Sequence, residues 1–253
     1  MIRSLSSNNI PVILINGRIG DRSFRGYGLL KAILSSTFKR IDLACMQTAL
    51  DAERIAYLGV APERIEITGN IKFDSAIKLE SDISKIKNKF KEKLGFGSDQ
   101  KIFVAGSTHP GEDEIIAKVF SRLRLDEGDL KLIIAPRHID RSGDIKTYFK
   151  KNYNCRIKLF SEISSSDTVD VVVVDKIGIL KELYAFSTFV FVGGSLVKHG
   201  GQNILEPAYL GKPIIFGPHM FNFRDIADLF LKNNAAIVVD NEFSLYLAAN
   251  RLI

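Results

Sequence analysis

Strand-length β-branched runs alternate with amphipathic stretches of helical spacing along the whole chain, and that alternation limits the possible folds more than any other feature. It implies βαβ units and a parallel sheet covered by helices. In the first part, residues 11–16, 41–46 and 64–68 read as strands, and 28–38 and 49–58 as helices. After residue 100 the series is longer. Strands are expected at 101–105, 130–135, 156–159, 169–174, 189–192, 213–216 and 235–239. Helices are expected at 112–123, 145–151, 180–186, 205–210, 224–232 and 243–252. The fold class read from this is α/β, with two doubly wound Rossmann-like domains at 1–76 and 77–253. The first, with three strands, is short of a self-sufficient domain. The helical pattern also runs to Ile253 without a stop signal, so the chain reads as cut at both ends.

Residues 80–99 change in composition. Ile83, Ile86, Phe90 and Leu94 recur at helical spacing among Lys85, Lys87, Lys89, Lys91 and Lys93. A solvated amphipathic helix joining two domains accounts for this better than a nucleic-acid surface, which would want aromatics interleaved for stacking. The charge balance agrees, since 35 Lys and Arg against 29 Asp and Glu leave only +6, spread over the chain. That mild surplus favours anionic partners without choosing among them. Hydrophobic residues at 46% and charged residues at 25% exclude a disordered chain and a coiled coil. Cys45 and Cys155 are too few for a disulfide scaffold, so a reducing, cytoplasmic setting is expected. No apolar run approaches the about 18 residues of a spanning helix. Residues 11–15 are too short for the core of a signal peptide.

Ligands of open parallel sheets bind beyond the carboxyl ends of the strands, so the turns there carry the functional reading. They are Gly106-Ser107-Thr108-His109, Pro136-Arg137-His138, Asp175-Lys176-Ile177-Gly178, and the stretch from Gly193-Gly194-Ser195 to Glu206. The last has the strongest pattern. Its glycines can present backbone N–H groups to an anion, and the following helix would offer its positive end to a phosphate. Glu206 in the first turn could accept hydrogen bonds from ribose hydroxyls. Asn203 with Glu206 is equally a capping box that needs no ligand, and the spacing leaves both readings open. Arg137 suits a phosphate or a base edge, or a surface ion pair. Lys72 follows the last strand of the first part, where it could meet developing negative charge or simply pair with Asp74. His109, His138, His199 and His219 stand apart with no metal-ligand spacing, so no metal site is expected. No P-loop, dinucleotide fingerprint or serine-hydrolase elbow occurs.

Taken in order, several segments carry a resemblance. They are Gly106-Ser107-Thr108-His109, Ala135-Pro136-Arg137-His138, Gly193-Gly194-Ser195-Leu196-Val197, Gly200-Gly201-Gln202-Asn203-Ile204-Leu205-Glu206-Pro207-Ala208 and Gly217-Pro218-His219-Met220-Phe221-Asn222-Phe223. With Asn16-Gly17-Arg18, Asp21-Arg22-Ser23 and residues 69–74, the series resembles the 3-deoxy-D-manno-octulosonic acid (Kdo) transferases of lipopolysaccharide assembly, from about Pro11 onward. The resemblance implies a GT-B glycosyltransferase that needs neither a metal nor another cofactor. Residues 1–76 would be the C-terminal part of the acceptor-side domain and 77–253 the donor-binding domain. The donor would be CMP-Kdo. The acceptor would be a lipid A precursor, lipid IVA, at the cytoplasmic face of the inner membrane, whose surface is a further partner.

Carried over by position, the CMP contacts fall on Pro136 and Arg137, on Ile177, Gly178 and Ile179, and on Asn203, Ile204, Leu205 and Glu206. Lys72 matches a family lysine that stabilises the transition state. The family's general base is a glutamate ahead of the region where this sequence begins, and none of Glu53, Glu63 or Glu66 matches its motif. The chain is therefore expected to bind CMP and to lack the base for transfer by itself. Two other readings stay open: a GT-B enzyme using a UDP-sugar, and a non-catalytic nucleotide-binding remnant.

Overall fold

The computed structural model describes residues 2–71, 90, 92–97, 100–164 and 167–253. Contacts divide the chain into two compact units, Met1–Ser75 and Ala76–Ile253.

The first unit runs α1 (Ile2–Ser7), β1 (Ile13–Gly17), α2 (Asp21–Leu29), α3 (Lys31–Phe38), β2 (Leu43–Met46), α4 (Ala49–Leu58) and β3 (Ile65–Ile67). Its strands form a parallel sheet in the order β1-β2-β3. Ile41, Ala44, Met46, Ile55, Leu58 and Val60 make the core. α4 follows its sequence signals closely. Thr48 caps it by accepting the Asp51 N–H at 3.1 Å, and Gly59, at φ +123°, ends it in a conformation that side chains avoid. One helix was expected at 28–38, whereas two are found, breaking at Leu30 (φ −102°, ψ 13°). Gly26 and Gly28 are poor helix formers and concealed α2. Its start is held by Arg54, which pairs with Asp21 and donates to the Ile19 carbonyl. α1 was not anticipated either.

The second unit contains β4 (Ile102–Thr108), α5 (Glu112–Asp126), β5 (Lys131–Pro136), α6 (Ser142–Asn152), β6 (Ile157–Leu159), β7 (Val171–Val173) and α7 (Leu180–Tyr184). It continues with β8 (Phe189–Val192), α8 (Leu205–Tyr209), β9 (Ile214–Phe216), α9 (Arg224–Lys232), β10 (Ile237–Val238) and α10 (Glu242–Asn250). Every strand pairing is parallel, in the order β10-β9-β8-β4-β5-β7-β6. The central strands are buried on both faces, as their unbroken apolar runs require. Phe103 and Phe189 stack at 4.6 Å across β4 and β8. Of the lysine-rich stretch, Phe90 and Leu94 are buried, and Phe90 packs on Phe160 and Phe186 at 5.9 Å each. Ile83 and Ile86 lie outside the described residues.

A charge cluster closes the amino-terminal edge of the sheet. The buried carboxylate of Asp170, just ahead of β7, accepts from Lys131 at 3.1 Å and from Arg156 at 2.8 and 3.0 Å, with Arg124 at 3.4 Å. Burial pushes the Asp170 carboxyl upward, but these hydrogen bonds and charges outweigh it and hold it well below the usual range.

Candidate functional site

From β4 the chain builds β5, β6 and β7 on one side of the sheet, then returns to β8 beside β4 and builds outward to β9 and β10. The carboxyl ends of β4 and β8 therefore flank the topological switch point, where loops diverge and leave a crevice. Both glycine-bearing turns read from the sequence end there.

The two turns are locked together by a side chain. Glu112, the first residue of α5, is fully buried, and its carboxylate accepts four backbone N–H groups. Gly194 donates to Oε2 at 2.7 Å and His109 to the same oxygen at 2.9 Å, while Ser195 and Leu196 donate to Oε1 at 3.0 Å each. Gly194, at φ +67°, turns the loop so that consecutive N–H groups converge. Gly193 admits the close approach, since a Cβ there would stand 2.4 Å from the Ser107 carbonyl oxygen. The sequence reading of a phosphate cradle at Gly193–Gly194 is thus corrected: the Gly193 N–H donates to the Gly106 carbonyl at 2.8 Å, and the Gly194 N–H converges with those of His109, Ser195 and Leu196 on an anion, but that anion is Glu112.

The reading of Asn203 and Glu206 also changes. The N-cap of α8 is Ile204, and α8 has only five residues. Asn203 accepts the Leu205 N–H at 3.1 Å and donates to Glu206 at 3.2 Å, so the two side chains bond each other instead of forming a capping box. Ile204 and Leu205 are buried beneath them. The Glu206 charge reaches the buried phenol of Tyr184, whose pKa is raised first by burial and then by that carboxylate.

Pro136, Arg137, Ile177 and Gly178 do come together. With Ser107, His138 and Lys176 they line a cavity of about 360 Å³ at the carboxyl ends of β5 and β7. Ile179 is buried at the start of α7, next to the lining. Asn203, Ile204, Leu205 and Glu206 are not part of that lining. The segment from Gly217 to Phe221 lines a separate cavity of about 350 Å³ with Arg224. Lys72 and Asp74 lie outside the described residues.

Three of the histidines that stand apart in sequence meet here. The His109 ring stacks on His199 at 4.2 Å with 17° between planes, and meets His138 edge-on at 6.2 Å. Gln202 Nε2 is 3.4 Å from His109 Nε2. His109 is buried, and its pKa falls to about 4, first by desolvation and then through His199, His138, Arg141 and Arg137. Below them, Arg141 pairs with the buried Asp113 and donates to the Thr108 carbonyl at 3.1 Å. Asp113 also accepts from Thr108 Oγ1 at 2.6 Å, and burial raises its pKa. Glu112, Asp113 and Arg141 escaped the sequence reading, and Gln202 entered it only inside a segment that carries the resemblance, with no role of its own. Only the position of Glu112, three residues after His109, was a local signal. Among the described residues no group of three or more His, Cys, Asp and Glu side chains could hold a metal ion. No described helix is long and apolar enough to cross a membrane.

The fold is similar to solved structures of two kinds. It matches the C-terminal CMP-Kdo binding domain of WaaA from Acinetobacter baumannii with a TM-score of 0.58 and 29% identity, covering 66% of this chain and 87% of that one. It also matches UDP-GlcNAc 2-epimerase from Neisseria meningitidis with a TM-score of 0.64 over 99% of this chain and 63% of that one, at 14% identity, a likeness of fold. Residues 1–75 match the profile of 3-deoxy-D-manno-octulosonic-acid transferase (kdotransferase).

Curated relatives extend over the chain. A bifunctional glycosyltransferase/methyltransferase of Fusobacterium nucleatum is 40% identical over 95% of this chain and 37% of its own length. The 3-deoxy-D-manno-octulosonic acid transferases of Haemophilus influenzae and Aquifex aeolicus are 35% and 34% identical, over 95% and 96% of this chain and 56% and 60% of theirs. The chain thus spans about half the length of the curated relatives it matches.

An all-parallel doubly wound sheet with these structural neighbours defines an α/β protein of the GT-B class. Within that class the chain belongs to the Kdo transferase family of glycosyltransferases.

Proposed function

We propose that the second unit binds CMP-Kdo and serves the transfer of Kdo to a lipid A precursor, lipid IVA, in lipopolysaccharide assembly at the cytoplasmic face of the inner membrane. The observation that carries this is the cavity shared by Pro136, Arg137, Ile177 and Gly178, in a domain similar to one solved as CMP-Kdo binding. In this reading the cytidine ring rests against Pro136 and the Ile177-Gly178-Ile179 turn. Arg137 meets the phosphate, and Glu206, held by Asn203, receives the ribose hydroxyls.

Transfer is a displacement at the anomeric carbon of Kdo. The bond to the acceptor oxygen forms, the bond to the phosphate oxygen breaks with its electron pair leaving on CMP, and the acceptor hydroxyl gives its proton to a base. Positive charge set beforehand around the departing phosphate lowers the barrier, a part we give to Arg137; Lys72, outside the described residues, keeps the transition-state role that the resemblance implies.

Calorimetric titration with CMP, with UMP as control, tests the reading. Saturable binding of CMP that weakens at least about 10-fold in Arg137→Ala and in Glu206→Ala is the expected result. Equal affinity for UMP would favour a UDP-sugar enzyme. A folded chain that binds neither nucleotide would overturn the proposal.

A further inference from the structure

Among the described residues, no carboxylate is ion-paired or hydrogen-bonded to the imidazoles at the switch point. The charges acting on His109 come from His199, His138, Arg141 and Arg137, and all disfavour its protonation. Two carboxylates at the foot of the cluster are already engaged. Glu112 is consumed by four N–H groups, and Asp113 by Arg141 and Thr108. Asp140 and Lys176 line the same cavity as Arg137 and His138, and Asp140 is hydrogen-bonded or ion-paired to neither. Among the described residues no carboxylate pairs with the exposed Arg137 guanidinium, which the Arg137 N–H to Thr108 carbonyl bond (2.9 Å) sets beside the end of β4. His138 and His199 are exposed, whereas His109 between them is buried. Protonatable rings held at 4.2 and 6.2 Å repel one another once charged, and burial adds a desolvation cost. Such an arrangement is relieved by an anion that water does not screen.

We propose that His109, His138 and His199, together with Arg137, form a receptor for a phosphate group, and that phosphate binding is accompanied by proton uptake from solvent onto the imidazoles. The proposal rests on the nucleotide reading in one respect: it makes the CMP phosphate the natural occupant. It adds three residues to that reading, and it assigns phosphate recognition to side chains at the place where the backbone cradle is already filled by Glu112. The only bond change is protonation of ring nitrogen, with the proton drawn from solvent as the anion enters. Gln202, 3.4 Å from His109 Nε2, is placed to orient the buried ring.

The test uses the whole chain and its four histidines. Histidine Cε1–H resonances are followed by NMR from pH 4 to 8 in inorganic phosphate and in chloride at equal ionic strength. The His138 and His199 midpoints should rise by about 0.5 pH or more in phosphate. His219, outside the ring cluster, serves as internal reference and should not move. CMP should reproduce the rise and cytidine should not. His199→Gln should abolish the phosphate response of His138.

Identical titrations in phosphate and chloride, or equal movement of all four resonances, would overturn the proposal. A response to phosphate with none to CMP would leave the receptor standing and remove the nucleotide reading. Binding of CMP with no histidine response would do the reverse.

Discussion

The carboxylate of Glu112 and the backbone N–H of Gly194 meet at 2.7 Å although 82 residues separate them in the chain. Glu112 opens the helix after β4, and Gly194 sits in the turn after β8, so their contact joins the two halves of a doubly wound sheet at the point where they diverge. A glycine-rich turn that looks made for an external phosphate is closed by an internal carboxylate. Its function is to fix the position of the loop leading to His199 and Gln202.

Replacing that carboxylate should be costly. Glu112→Gln presents an NH₂ group to donors that need acceptors, leaving buried N–H groups unpaired. A loss of about 3 kcal/mol is expected in urea unfolding at pH 7. A loss below about 0.5 kcal/mol would show that the four N–H groups find other partners.

Gly193→Ala should be damaging for a different reason. The added methyl would lie 2.4 Å from the Ser107 carbonyl oxygen and 2.6 Å from Thr108 Cα, both backbone atoms of β4, so the strands at the switch point must separate. A loss of about 2 kcal/mol or more is expected, with weakened ligand binding. Gly128→Ala, whose added Cβ meets nothing within 4 Å, is the matched control and should be neutral or slightly stabilising in the same melts.

Asp170 predicts an acid limit. Its folded pKa lies below the unfolded value of about 3.9. The stability it contributes is therefore complete above that value and is lost as pH falls below it towards the folded pKa. Asp170→Asn leaves Lys131 buried without its counter-charge and should cost about 3 kcal/mol at pH 7. The variant should also lose less further stability between pH 4 and pH 2 than the parent chain. Parallel acid profiles for the two proteins would show that the cluster does not set the acid limit.

Much of the fold was readable because its signals are local. A strand such as 189–192 is four apolar residues between polar turns, and α9 carries the same bounds in sequence and in structure. α2 was hidden because its glycines break the pattern that burial would otherwise write, and α1 has no buried residue to write one. At the site, the cavity turns were legible because strand ends and glycines announce themselves. The pairing of Glu112 with residues 194–196 was not, because a backbone N–H carries no residue type to search for. Nor was the meeting of His109, His138 and His199, which follow three different strands and approach one another only through the order β8-β4-β5. The capping box at Asn203 failed on an equally local ground: the helix began one residue later, and the side chains found each other first.

The pairing of β4 with β8 also bears on how such a domain comes to fold. Ile102 at the start of β4 donates to Thr188 across 86 residues at 2.9 Å, so the crevice is absent until the intervening βα units are in place. Closing so long a loop costs entropy that local contacts do not repay, and sheets assembled in this way form slowly. Ligand capacity then arrives with the last tertiary contacts, so recovery of binding during refolding reports completion of the whole second unit and not the formation of any one turn.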